Sequence, residues 1–151
     1  MTYTEAQVRA SIKDVIQTAA PNAVIYPWWI LGHKENHWPG LLRSSADDNK
    51  VHGYVITRSS NEGTETGSRC VRRYWSYELW GFHYYETGNS TSNTDLTFNA
   101  EIDAITDSFD QITELALPLQ RRQVPKWIID LGLYGGELLH FAVGSLTIEA
   151  C

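Results

Sequence analysis

Apolar residues recur along this chain with two different periods. Between Thr4 and Ala20, Val8, Ile12, Val15, Ile16 and Ala19 repeat at helical spacing. Thr4 and Gln7 have the spacing of a capping box, and Pro21 closes the segment, so an amphipathic helix is predicted there. A second helical stripe runs from Asp95 to Ala116: Phe98, Ile102, Ile105, Phe109, Ile112 and Leu115 lie on one side. Glu101, Asp103, Asp107, Asp110 and Glu114 lie between them, and Pro118 follows. Elsewhere the pattern suits strands. Ala23 to Leu31 is one, placed at an edge or bulged because Pro27 lacks a ladder donor. Val51 to Arg58 is another. Lys126 to Leu133 and Glu137 to Glu149 form a closing hairpin through Tyr134, Gly135 and Gly136. Gly32 to Lys50 and Ser59 to Ser68 read as loops, the latter mobile because its Gly, Ser, Thr and Glu residues bury little.

The longest strand signal runs from Arg69 to Thr87, rich in aromatic and β-branched residues. Extended, it would reach roughly 55 Å, so it bends, at Gly81, or passes beyond its own domain. Trp75, Tyr77 and Leu79 share one alternating face, and Tyr74, Trp80 and Phe82 the other. Both faces should therefore be covered. The expected architecture is α+β: a mostly antiparallel sheet of about five strands, with two helices packed on one face. The second face then calls for an identical neighbour, which makes Arg72, Arg73, Trp75, Tyr77, Leu79 and Trp80 the candidate subunit interface.

Length and composition fit one domain with a real core: 151 residues, 42% apolar and 20% charged. Six Trp and eight Tyr are an unusual load, of the kind found in cores and interfaces. A net charge of −6 argues against a dedicated nucleic-acid binder. Two cysteines, Cys70 and Cys151, make no disulfide framework and point to a reducing compartment. The amino terminus lacks the pattern of a signal peptide, and no apolar run is long enough for a membrane span.

Catalytic or metal chemistry is weakly signalled. His33 and His37 are four apart, but Gly32 and Pro39-Gly40 around them disfavour the helix that would align them on a metal. Cys70 with His83 or His140 would form a nucleophile pair, yet Cys70 lacks an activating helix start. Asp103, Asp107 and Asp110 share a helix face that is solvated by default. Gly132 to Gly136 leads into a strand and is no phosphate loop. No enzyme, no cofactor and no metal is the expectation. Two alternatives stay open: a small-molecule enzyme or ligand-binding protein with a pocket lined by Trp28, Trp29, Trp75 and Trp80, and a single-stranded nucleic-acid binder using Arg72, Tyr74 and Trp75.

The order of elements resembles a known family. A helix containing Val-Arg-Ala-Ser-Ile-Lys-Asp-Val-Ile leads into the short strand Asn-Ala-Val-Ile-Tyr. Paired strands with a long polar loop, a long helix and the hairpin arm Leu-Leu-His-Phe-Ala-Val-Gly-Ser-Leu-Thr-Ile-Glu follow. This resembles the tail terminator (tail completion) and neck proteins of long-tailed bacteriophages. The resemblance implies a structural subunit that assembles as a ring, usually a hexamer, with the tail tube protein below and the head-connector protein above. DNA would pass through without specific binding, and an acidic lumen would suit that passage. The implied location is the tail or neck of the virion, after synthesis in the host cytoplasm, with no membrane partner.

Overall fold

The structure is a computed structural model that describes residues 4–28, 30, 38–65, 71–86, 93–111, 120–121 and 125–150, with the backbone alone at 61–65, 71–73, 120–121 and 150. Its elements in chain order are α1 (Glu5–Ala19), β1 (Val24–Tyr26), the single turn α2 (Trp38–Leu41), β2 (Arg43–Ser44), a 3₁₀ turn (Ser45–Asp47), β3 (Lys50–Glu65), β4 (Val71–Tyr84), α3 (Thr94–Gln111), β5 (Gln120–Arg121), β6 (Lys126–Tyr134) and β7 (Glu137–Ala150).

The sheet is α+β and mostly antiparallel, as the sequence pattern predicts. Its order is β1-β3-β4-β7, with β6 pairing the first part of β7 and β5 the last. β2 adds to β3 below β1 on the same edge, so the sheet is five strands wide. Only β1 runs parallel to its neighbour. α1 carries the expected capping box: Gln7 N–H donates to Thr4 Oγ1 at 3.2 Å, and Thr4 N–H to Gln7 Oε1 at 2.9 Å.

α1 and α3 lie together on one face. Val8, Ile12 and Ile16 from α1, and Phe98, Ile102, Ile105 and Phe109 from α3, press onto Ile25, Tyr54, Ile56, Trp75, Tyr77, Leu79, Leu146 and Ile148. Glycines let the rings lie flat on the sheet. A Cβ at Gly81 would stand 2.6 Å from the Tyr54 ring, and one at Gly144 2.8 Å from Trp127. One end of the second face is covered by the chain itself. Trp38, Leu42, Ile30 and Tyr134 close over Val51, Val55, Phe82 and Leu139, with Trp38 and Phe82 rings 4.5 Å apart. Further along that face Ser76 bonds Thr147 beside Glu78 and Ser145, which tolerate water.

Several expectations need correction. The loop expected from Ser59 is strand as far as Glu65, because β3 pairs β4 through Glu65↔Val71 with one bulge between Arg58 and Ser60. β4 stays paired on both sides at Gly81, which serves as the floor for Tyr54. The strand expected over 23–31 is assigned only over Val24–Tyr26, at an edge. The hairpin turn holds: Gly135 and Gly136 have φ of 58° and 80°, the left-handed pair that a tight two-residue turn needs.

Candidate functional site

Trp75, Tyr77 and Leu79 do share a face, but it is the face under the helices. They are at most 5% exposed within a single chain. A residue already buried has almost no area left to lose to a neighbour, so these three are core residues rather than an interface. Trp80 is on the opposite face, half-buried beside Phe141 and with its indole N–H donating to Glu78 at 3.1 Å. Arg72 and Arg73 lie in β4 opposite Thr64 and Gly63. Their side chains, and residues 31–37 with His33 and His37, fall outside the described part, as do Trp29, Cys70 and Cys151.

Among the described residues, those of the two alternatives do not converge. Trp75 is in the core beneath the helices, Trp80 is on the other face, and Trp28 is exposed beyond the end of β1. Tyr74 and Trp75 are successive strand residues and point to opposite faces. Val71, the residue after Cys70, is twelve positions along β4 from His83, roughly 40 Å at the strand rise. A shallow cleft of about 200 Å³ lies between Arg43, Lys50, Glu86 and Glu137, smaller than a usual ligand pocket. Both cations there are already paired, Arg43 with Glu137 at 2.6 Å and Lys50 with Glu86. Asp103, Asp107 and Asp110 are exposed, as expected of a solvated face.

Two features emerge that the sequence did not single out. The first is a row of histidines across three central strands. His52 of β3 pairs with His83 of β4, and His83 with His140 of β7, all on the helix face and all buried. Glu101, on an otherwise solvated stretch of α3, turns inward to meet them. Its carboxylate accepts from His52 Nε2 at 2.7 and 2.9 Å and from the Tyr54 hydroxyl at 2.5 Å. Asp47 takes His52 Nδ1. Burial alone would lower the His52 pKa, but the bonds and charges of Glu101, and then of Asp47, outweigh it and raise it. His83 is lowered by burial, with the neighbouring His52 adding to the effect against the Tyr84 carbonyl to which Nδ1–H donates at 2.8 Å. His140 is lowered by burial too. It meets Thr94 Oγ1 at 3.0 Å, and that oxygen also bonds the Glu86 main chain, fixing the start of α3. Both nitrogens of His52 are engaged by carboxylates, and among the described residues no group of three or more His, Cys, Asp or Glu side chains is set to hold a metal ion. The row is a clamp between α3 and the sheet.

The second feature is the outer edge of the sheet. β6 is nine residues long and pairs only with β7 among the described residues. Ile128 is 77% exposed and Leu133 73%, with Ile129 and Leu131 also open. Edge strands normally carry charge, Pro or a bulge as protection. This one carries Lys126 and Asp130 around a run of large aliphatics. At the opposite edge the Arg9 guanidinium reaches the carbonyls of Pro27 and Ile56 at 3.0 and 3.4 Å, yet Trp28 and Leu41 stand open at 57% and 44%.

Compared with known protein families and with curated proteins, the chain matches no family model and no curated sequence. Among the described residues no helix is long and apolar enough to cross a membrane.

Proposed function

We propose that this chain is a structural subunit that assembles with copies of itself into a ring of the tail-terminator type, capping a phage tail tube and meeting the head connector. The supporting observation is β6, an edge strand whose large aliphatic side chains face water in the single chain between and beyond Lys126 and Asp130. Such an edge is a template for pairing with another chain. Covering Ile128 and Leu133 would contribute about 1.5–3 kcal/mol each before entropy losses. The resemblance to tail terminators in the order of elements supplies the form of the proposed assembly, and a net charge of −6 suits a passage that DNA must cross without sticking.

The polar clamp around His52 does not compete with this reading. Its groups bond one another: carboxylates take both His52 nitrogens, and Glu101 also takes the Tyr54 hydroxyl. The test is the native mass of the purified chain, followed by negative-stain imaging of the chain mixed with tail tubes. A ring mass and density at tube ends are expected. A monomer at every concentration, with bare tube ends, would end the proposal.

A further inference from the structure

Opposite edges of the sheet stand at the same height. Tyr26, Val55, Trp80, Val143 and Ile128 form one lateral row, read strand by strand through the ladder from β1 to β6. β1 runs parallel to β3 and therefore opposite to β6. Shifting one copy sideways by the width of the sheet would bring its β1 beside β6 of the next copy, antiparallel and with no slide along the strands. Faces would also agree. Ile25 belongs to the helix-side core and Ile129 shares that face, while Tyr26 belongs to the other cluster, on the face of Ile128. Exposed apolar side chains sit on both edges: Ile128 and Leu133 on one, Trp28 and Leu41 on the other.

We infer that β6 of one subunit docks on the β1 edge of the next, so that the sheets of successive subunits join head to tail. The occupant of the β6 edge is a second copy of this chain, and it offers the end that carries Trp28. A contact between two different edges leaves each pair with one edge of each kind still open. It propagates until a rotation closes it as a ring, or else continues as a filament. A β6-to-β6 contact is the rival. It would cover the same aliphatics but close as a dimer and leave Trp28 and Leu41 in water. The inference rests on the assembly reading above and adds to it the two surfaces that meet.

Cross-linking separates these cases. Ile128→Cys and Trp28→Cys are made as single variants and as the double variant, and treated with a short bis-maleimide. All variants are made on a Cys70→Ser, Cys151→Ser parent, which removes the native thiols and sets the background. The expected result is no product above background from either single variant once mixed-edge contacts are the only ones available, one dimer band from the two single variants mixed, and a ladder of oligomers from the double variant. A dimer band from Ile128→Cys alone would overturn the inference in favour of β6-to-β6 pairing. A ring mass in wild type, with no band from the mixed variants while Ile128→Cys and Trp28→Cys each still assemble, would overturn it and leave the ring reading standing. A monomeric wild type would overturn both.

Discussion

Glu101 and His52 meet across the seam between helix and sheet, with the imidazole Nε2 2.7 and 2.9 Å from the two carboxylate oxygens. Each is an ionisable group that burial would penalise alone, and each offsets part of that penalty for the other. The Tyr54 hydroxyl takes up further capacity on Glu101. Glu101→Ala would strand His52 Nε2 and the Tyr54 hydroxyl in the interior, with Asp47 still on His52 Nδ1. It is expected to lower folding stability by about 3 kcal/mol, with Glu101→Gln less severe because an acceptor remains for Tyr54. Urea unfolding followed by circular dichroism reads the difference.

Stability should respond to pH in opposite senses on the two sides of neutrality. His52 has a raised pKa, so its share is full below the unfolded value near 6.5 and is lost as pH rises through the folded one. His83 and His140 are lowered, so their share is present above that value and is lost as pH falls through theirs. Urea midpoints across pH 5 to 9 should fall at both ends. In His52→Gln the alkaline fall disappears while the acid fall stays; an unchanged alkaline limb would show that His52 is not the group responsible.

Tyr77 is a core residue with a defect. Its hydroxyl is buried and has no hydrogen-bond partner among the described residues. Burial, and next the charge of Glu5, pushes its ionisation well up, so the group stays a neutral phenol. An unsatisfied buried hydroxyl costs about 1–3 kcal/mol. Tyr77→Phe is therefore expected to hold or raise the melting temperature, and Tyr77→Ala to lower stability by about 3–5 kcal/mol through the cavity it leaves.

Gly81 is required by the ring above it. The added methyl of Gly81→Ala would stand 2.6 Å from Tyr54 Cε1. The displaced ring would carry its hydroxyl away from Glu101, so overpacking and a weakened clamp act together. A loss of about 1–3 kcal/mol is expected. Loss of near-ultraviolet dichroism at unchanged far-ultraviolet signal would locate the damage at the ring.

Ile128→Lys and Leu133→Lys should behave differently from every core change. Both positions face water in the single chain, so folding stability is expected to stay within about 0.5 kcal/mol of wild type. Sedimentation should then show smaller species for each. Full assembly of the double variant would remove β6 from the interface.

Local signals are legible in the sequence. The capping box of Thr4 and Gln7, the stripe of Phe98, Ile102, Ile105 and Phe109, and the Gly135-Gly136 turn each lie within a few residues, where spacing and chemistry suffice. What covers β4 was not legible. Alternation shows that Tyr77 and Phe82 are on opposite faces, but not that Trp38, Leu42 and Tyr134 return to close the second one. The inward turn of Glu101 was hidden as well, because its position among acidic residues reads as solvated until His52, His83 and His140 are known to be cross-strand neighbours. β6 was recognised as a strand, but a strand's place at the sheet edge is a property of topology.

The place of β7 in the sheet has a kinetic consequence. Residues 73–84 of β4 pair with residues 139–150, and α3 together with β6 intervenes in the sequence. During synthesis, the β3–β4 hairpin can form as soon as it leaves the ribosome, but one flank of β4 stays bare until β7 has emerged. Over that interval Tyr77, Leu79 and Phe82 sit beside an unfilled ladder. Distant pairings of this kind slow folding and expose sticky intermediates. Chaperone demand should accordingly peak on nascent chains that carry β4 and lack β7.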